Sequence, residues 1–342
     1  MKGDDPHAPR AAGKILAELM RRYPEVQLAT LVKAPPEGEH WVHEIKFDGY
    51  RLLGFVAEGV PQLRTRNGKD WTDRFPSLSA GLRKLRVTTA VLDMEAVVLD
   101  AKGRSSFQAL QAALGDGGEA GRIVACVFDL LWLDGKDLTG LPLTDRKEKL
   151  EKLLKAPGDH AALRYSGHVA GHGAEMFRKA CGTGLEGIIS KEGNAPYLPG
   201  RQKSWLKIKC GRRQEFIILG FSDARKGARA LGALYLGYRN VGQGNVGVLR
   251  YAGKVGTGFT MRSAAELADR LQRMAVKAPL LTRAETVGLS AGEWSTIHWV
   301  TPALLCEVAF TEWTDDGHIR HPSFQGLRED KDAVEVRKEN PL

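Results

Sequence analysis

A chain of 342 residues, 43% hydrophobic and 27% charged, has the balance of a soluble globular protein and room for two or so domains, each with its own core. It holds no apolar run of about 18 residues to cross a membrane, and the polar stretch Met1 to Arg10 lacks the apolar segment of a secretory leader, so an intracellular protein is expected. Fifty Lys and Arg against 41 Asp and Glu leave a net charge of +9, which favours a polyanionic partner.

In chain order, residues 1–25 are predicted as a polar, peripheral extension with one amphipathic helix, Ala12 to Arg22, whose Ile15, Leu16, Leu19 and Met20 share a face. From Trp41 the pattern turns to strands: WVHEIKFDGYRLLGFVAEGVPQLRTRNG alternates and bends at Glu58-Gly59 and Asn67-Gly68, as a hairpin does. AVLDMEAVVL (90–99), IVACVFDLLWL (123–133), EGIISK (186–191) and SWLKIK (204–209) are further strands. Helices fit at 105–114, at 144–155 with Thr144 as N-cap, and at 173–181 closed by Gly182. Strands in hairpins without strict βαβ alternation make the fold α+β.

After KIKCGRRQ the composition shifts to glycine-spaced strands, EFIILGFSD, ALYLGYRN and VGVLRYAGKVGTG, then a helix at about 261–276 and more strands through LLCEVAFTEWTDDG. Short strands around one helix suit a small β-barrel of the OB type. The expected division is an extension at 1–25, a first domain at 26–211 and the barrel at 212–342, with Lys203, Lys207, Lys209, Arg212 and Arg213 crowding the boundary. Cys126, Cys181, Cys210 and Cys306 show no CxxC spacing, so all four are expected reduced and mostly buried, with neither a zinc site nor a disulfide framework.

The strand that ends in Lys46 turns at once through Asp48 and Gly49 and resumes at Arg51. A lysine there is a surface residue before a turn or a nucleophile able to attack phosphorus or carbon. An unperturbed amine is only about 0.1% neutral near pH 7.5, so a nucleophile calls for burial or neighbouring cations to lower its pKa. Phosphoryl chemistry also needs carboxylates for a divalent metal and cations for phosphates. Glu95 sits among apolar residues in a strand, and Glu186 opens another that reaches Lys191. Lys207 and Lys209 alternate with Leu206 and Ile208, so both ammonium groups face one side and repel unless an anion lies between them. His168 and His172, in the glycine-rich SGHVAGHG, are loop histidines rather than a metal pair.

Taken in order from about Gln27 to Lys331, these residues resemble the nucleotidyltransferase superfamily of ATP-dependent DNA ligases and mRNA capping enzymes. KFDGYR resembles its nucleotidyl-lysine motif, LDMEAVVL its glutamate motif, and VFDLLWLDG the aromatic motif that stacks on adenine. LEGIISK resembles the metal-glutamate motif, WLKIK the paired-lysine motif, and FQGLREDK the last motif, carried by the OB domain. QLATLV, TRNGKDWT, YLPGRQKSWLKIK and RHPSFQGLREDK look closest to the ligase domain of the bacterial ligase D family.

The resemblance implies an adenylation domain with antiparallel sheets followed by an OB-fold barrel, and an ATP-dependent DNA ligase that seals 5′-phosphate/3′-hydroxyl nicks through a lysyl-AMP intermediate in repair or end joining. Lys46 is then the nucleophile, with Lys207 and Lys209 on the α-phosphate. Glu44, Ile45, Arg51, Arg66, Glu95, Phe128, Lys191, Arg201, Arg328 and Lys331 surround the nucleotide. Glu95 and Glu186 hold magnesium or manganese, and Lys203, Arg212 and Arg213 contact DNA. The implied partners of this monomer are ATP, nicked duplex DNA and a Ku-type end-binding protein, in bacterial cytoplasm at the nucleoid. The alternatives are an RNA ligase or a GTP-using capping-type enzyme, and, from another class, a non-catalytic DNA-end binding module that would not need the lysine.

Overall fold

The structure, a computed structural model, describes residues 8–115, 117–156, 158, 160–224, 231–240 and 247–339, and the chain divides after Cys210 into two units. The first seven residues of the predicted extension, and Val246 at the head of a predicted strand, lie outside the described residues.

In the first unit, helix α1 (Ala8–Arg22) is followed by strands β1 (Gln27–Leu31), β2 (Trp41–Ile45), β3 (Tyr50–Ala57) and β4 (Val60–Thr65). Next come α2 (Pro76–Arg83), β5 (Thr89–Val97), α3 (Phe107–Leu114), β6 (Val124–Leu133) and the short β7 (Lys136–Asp137). The unit ends with α4 (Leu143–Lys155), β8 (Leu163–Tyr165), β9 (Val169–Ala170), α5 (Gly173–Gly182), β10 (Gly187–Glu192) and β11 (Gly200–Lys209). Two sheets result, one in the order β4-β3-β5-β6-β7 with β8 beside β6, the other in the order β1-β11-β10-β2-β9. Antiparallel pairing dominates, with β1/β11 and β6/β8 parallel, and the architecture is α+β as the hairpins predict. The predicted hairpin is β3–β4, turning at Glu58 and Gly59 with φ of 49° and 76°, the left-handed pair that a two-residue turn requires.

The run Leu52 to Ala57 is apolar throughout because β3 is buried on both faces. Leu52 and Val56 enter a core with Phe75, Leu78, Leu82 and Met94, while Leu53, Phe55 and Ala57 enter a second one. That second face is covered by α1, so the helix expected to be peripheral is part of the core: Ala12, Leu16 and Leu19 are at most 5% exposed, whereas Ile15 and Met20 are only partly buried. Helical periodicity shows that a face is buried but not what buries it. A second correction concerns α4, where Pro142 occupies the N-cap position and Thr144 lies inside the first turn. The proline's fixed φ, −50°, delivers the chain into the helix without a side-chain cap.

A third correction concerns the cysteines. Cys126 and Cys306 are free and buried as expected, but Cys181 and Cys210 form a disulfide with Cα atoms 5.2 Å apart. Nothing local signals it, because the pairing of β10 with β11 brings the end of α5 to the residue after β11. Closing a loop of 29 residues is worth about 3–4 kcal/mol on the chain-entropy account. Reduction should therefore lower the denaturation midpoint of the protein but not that of a Cys181→Ser/Cys210→Ser variant. Equal midpoints with and without reductant would mean that these thiols do not pair in solution.

The second unit contains β12 (Arg212–Asp223), β13 (Leu231–Asn240), β14 (Val248–Val255), α6 (Met261–Gln272), the short α7 (Ala291–Ser295), β15 (His298–Trp299), β16 (Leu305–Phe310) and β17 (Ser323–Arg328). Its antiparallel sheet runs β14-β13-β12-β16-β17, with β15 on β12, around Phe216, Ile218, Leu236 and Val308, an OB-type architecture. Thr260 caps α6 through a reciprocal bond with Ser263, and the helix stops at Gln272, short of the predicted 276, because Ala275 bridges to Val300.

Candidate active site

Lys46 is the first residue after β2, and β2 and β3 belong to different sheets, so the lysine stands where the chain passes from one sheet to the other. Its backbone N–H donates to the Gly187 carbonyl (3.0 Å), which ties this crossing to the start of β10. Gly49 is dictated by close approach, since a Cβ there would stand 2.1 Å from the Ala96 carbonyl oxygen. Gly187, at φ 152°, is confined in the same way, with a Cβ 2.0 Å from the Ile208 carbonyl oxygen. Two glycines thus hold the backbone on either side of Lys46 and its neighbour Glu186.

Lys46 opens on a pocket that is partly open to solvent. Glu44, Ile45, Arg51, Glu95, Phe128 and Lys191 also line it. Phe128 reaches it through a β-bulge: Asp93 pairs with Asp129 and Met94 with Val127, so Phe128 is the extra residue that the bulge re-aims. Trp205 meets the Phe128 ring edge-on at 6.1 Å, and the Lys191 ammonium lies 4.5 Å from one ring and 4.2 Å from the other. Apolar rings and cations side by side suit a ligand with a flat base and an anionic tail.

Arg51 is clamped by Asp93 through two bonds of 2.9 and 2.6 Å, and Tyr197 donates its hydroxyl to the same carboxylate at 2.8 Å. Burial disfavours the guanidinium charge, but Asp93 outweighs it and raises the Arg51 pKa further. The sequence reading missed Asp93, although it lies two residues from Glu95 on one strand and therefore shares its face. It also missed Trp205 and Lys147. Glu44, 2% exposed, accepts Lys147 Nζ at 2.7 Å and Lys191 Nζ at 3.0 Å, and Ser166 donates to its second oxygen. Burial pushes the Glu44 pKa up, yet the two ammonium groups outweigh it and the net shift is downward. For Lys191 burial wins, helped by Lys147 against Glu44, and the pKa is pulled down to about 8.

Lys46 behaves otherwise than expected. Burial lowers its pKa, and the Lys209 ammonium adds to that, but Glu186 at 2.5 Å outweighs both and holds the amine protonated above its ordinary value. The neighbouring cation anticipated from the sequence is present; the dominant neighbour is the carboxylate.

Lys207 and Lys209 stand on β11 opposite Ile189 and Gly187, on the strand face that also carries Trp205. Arg66 occupies the turn after β4, and exposed Arg201 donates to the Ala29 carbonyl at 2.6 Å; neither lines the pocket. Arg328 and Lys331 belong to the second unit. There Arg328 is held by Asp330 (3.0 and 2.8 Å) and Glu307 (3.2 Å), and Lys331 by Glu215. Lys203 and Arg212 are exposed, and Arg213 is half-buried.

Among the described residues no group of three or more His, Cys, Asp and Glu could hold a metal alone. Glu95 and Glu186 are hard oxygen donors, and magnesium or manganese commonly takes one or two carboxylates and completes its shell with substrate phosphates. The donor set therefore fits an ion that arrives with a phosphorylated ligand. No helix among the described residues is long and apolar enough to cross a membrane.

Residues 15–209 match the family described as ATP dependent DNA ligase domain, and residues 227–331 match the ATP dependent DNA ligase C terminal region. The multifunctional non-homologous end joining protein LigD of Pseudomonas aeruginosa is 42% identical over 316 residues, covering 92% of this chain and 36% of that protein. The corresponding DNA repair protein of Mycobacterium tuberculosis is 39% identical over 306 residues, covering 89% of this chain and 38% of its own length. This chain thus spans 36% to 38% of these relatives. A solved mycobacterial DNA ligase D complexed with ATP and MES superimposes with a TM-score of 0.67 at 36% identity, covering 92% of this chain and 98% of the other.

Proposed function

Because the chain belongs to the ATP-dependent DNA ligase family, we propose that it seals 5′-phosphate/3′-hydroxyl nicks in duplex DNA through a lysyl-AMP intermediate. The observation that carries this reading is Lys46 at the rim of a pocket that pairs an aromatic ring, Phe128, with the cations Arg51 and Lys191. The base of ATP lies against Phe128, and the phosphates run towards Lys46 and Lys191.

Lys46 Nζ, once it has lost a proton, attacks the α-phosphorus; the N–P bond forms as the P–O bond to pyrophosphate breaks. Lys207 and Lys209 stabilise the charge that develops on the α-phosphate. A divalent ion held by Glu95 and Glu186 would offset phosphate charge during transfer. The nick's 5′-phosphate then takes AMP from the lysine, and the 3′-hydroxyl displaces AMP to close the strand. Arg66, Arg201, Arg328 and Lys331 contribute to nucleotide binding in this reading, and Arg328 and Lys331 must exchange their acidic partners for phosphate to do so. End joining is carried over from the relatives' names; a Ku-type partner, a monomeric state and a place at the bacterial nucleoid rest on the motif resemblance alone.

Incubation with ATP labelled at the α-phosphate tests the reading: a covalent label on Lys46 is expected, and none would leave a DNA-binding module. Labelling by α-labelled GTP instead would make it a capping-type enzyme, and sealing of RNA nicks in preference to DNA an RNA ligase.

Lys203, Arg212 and Arg213 are proposed as DNA contacts. If about five phosphates are neutralised, log K for a nicked duplex should fall against log salt with a slope of roughly −4 to −5, at about −0.9 per contact. Arg212→Ala/Arg213→Ala should flatten the slope by up to about two units and leave adenylylation unchanged. A slope that does not change would place DNA on another face.

A further inference from the structure

A lysine inside a helix that reads TDRKEKLEKLL in sequence should point to solvent, yet Lys147 has no exposed surface. Its ammonium donates to Glu44 Oε1 at 2.7 Å and to the Ser166 carbonyl at 2.9 Å, and sits 4.9 Å from the Tyr165 ring. It does not line the pocket, whereas Glu44 and Lys191 do. Two buried lysines therefore share one carboxylate oxygen, since Lys191 Nζ donates to the same Oε1 at 3.0 Å. A single counterion would have satisfied Glu44, and burying a second cation is costly unless something is gained.

The gain appears when Lys191 has to move. Breaking a buried ion pair by removing one partner leaves an uncompensated charge, which is far worse than never having formed the pair. If Glu44 had only Lys191, any shift of that ammonium towards a phosphate would strand the carboxylate. We infer that Lys147 is a positioning residue, a fixed counterion that keeps Glu44 neutralised so that Lys191 can transfer its ammonium from Glu44 to the nucleotide's phosphate. This rests on the proposed reading, in which the pocket takes ATP and Lys191 meets its phosphates. Burial and the repulsion from Lys147 disfavour the Lys191 charge, against Glu44 and Asp129, so an incoming anion would stabilise that charge further.

The test is single-turnover self-adenylylation with α-labelled ATP, read as the half-saturating ATP concentration and the maximal rate per folded molecule. Lys147→Met should raise half-saturating ATP at least tenfold, because Glu44 then competes with phosphate for Lys191. The same substitution placed on Glu44→Gln should change it less than threefold, since no carboxylate remains to be neutralised. A merely structural lysine would lower the folded fraction and leave half-saturation of the folded molecules where it was, and that result overturns the inference. An equal rise in both backgrounds overturns it too. Should Lys147→Met not fold, Lys147→Gln is read in the same two backgrounds: a tenfold rise beside Glu44 with less than threefold beside Glu44→Gln supports the inference, and any other pattern overturns it. Absence of any label on Lys46 of the unsubstituted protein overturns the functional reading and the inference together.

Discussion

Lys46→Ala is expected to take up no AMP from labelled ATP and still to close a nick that already carries a 5′-adenylate. Only the first of the proposed steps uses the amine as nucleophile, and alanine has nothing to form the N–P bond, so labelling should fall to background. The later steps depend on groups that the substitution leaves in place, among them Lys207, Lys209 and the carboxylates. The fold should survive. Lys46 keeps 20% of its side chain exposed, so losing its bond to Glu186 should cost about 1–3 kcal/mol, a few degrees in Tm. Label on a folded Lys46→Ala protein would show that the nucleophile is elsewhere; failure to seal the pre-adenylated nick would show that the lysine also serves the final steps.

What the sequence makes legible follows from where polarity interrupts an apolar pattern. Glu95 in LDMEAVVL and Glu186 ahead of GIIS stand out because a strand seldom buries a carboxylate without use for it. Lys207 and Lys209 stand out by alternating with Leu206 and Ile208. Asp93 carried the same signal, two residues before Glu95, and could have been found by the same rule.

The partners are another matter, because they join distant elements. Lys147 meets Glu44 across 103 residues, and its helix shows only an ordinary run of charges. The Cys181–Cys210 bond depends on strand register, and the docking of α1 on a second apolar face of β3 depends on which layer is left uncovered. Period-two and period-3.6 patterns identify faces; only the tertiary arrangement matches one face to another. The protonation of Lys46 falls in this class as well. The sequence supplied both the cation that lowers its pKa and the carboxylate that raises it, and the 2.5 Å approach of Glu186 decides between them.

That approach gives Glu186→Gln two effects of opposite sign. In adenylylation the variant should lose at least about two orders of magnitude, the usual consequence of removing a group that stabilises transition-state charge. In the absence of any metal, however, the Lys46 amine should become a better nucleophile. Glu186 raises its pKa more than Asp48, the other carboxylate that raises it, while burial and Lys209 lower it, and all but Glu186 remain in the variant. The folded-state pKa must therefore drop, and the neutral fraction at a fixed pH near 8 must rise, by up to tenfold for each unit of the drop. The measurement is acylation of Lys46 by a small amine-reactive reagent in metal-free buffer, followed by mass spectrometry of the peptide across pH 7 to 10. Faster acylation of the glutamine variant, with its midpoint displaced to lower pH, is the expected result. A structural glutamate would leave the acylation midpoint in place and reveal itself in the thermal melt. Slower acylation at every pH would mean that Glu186 draws the proton off the amine, so that the ion pair activates Lys46 instead of restraining it.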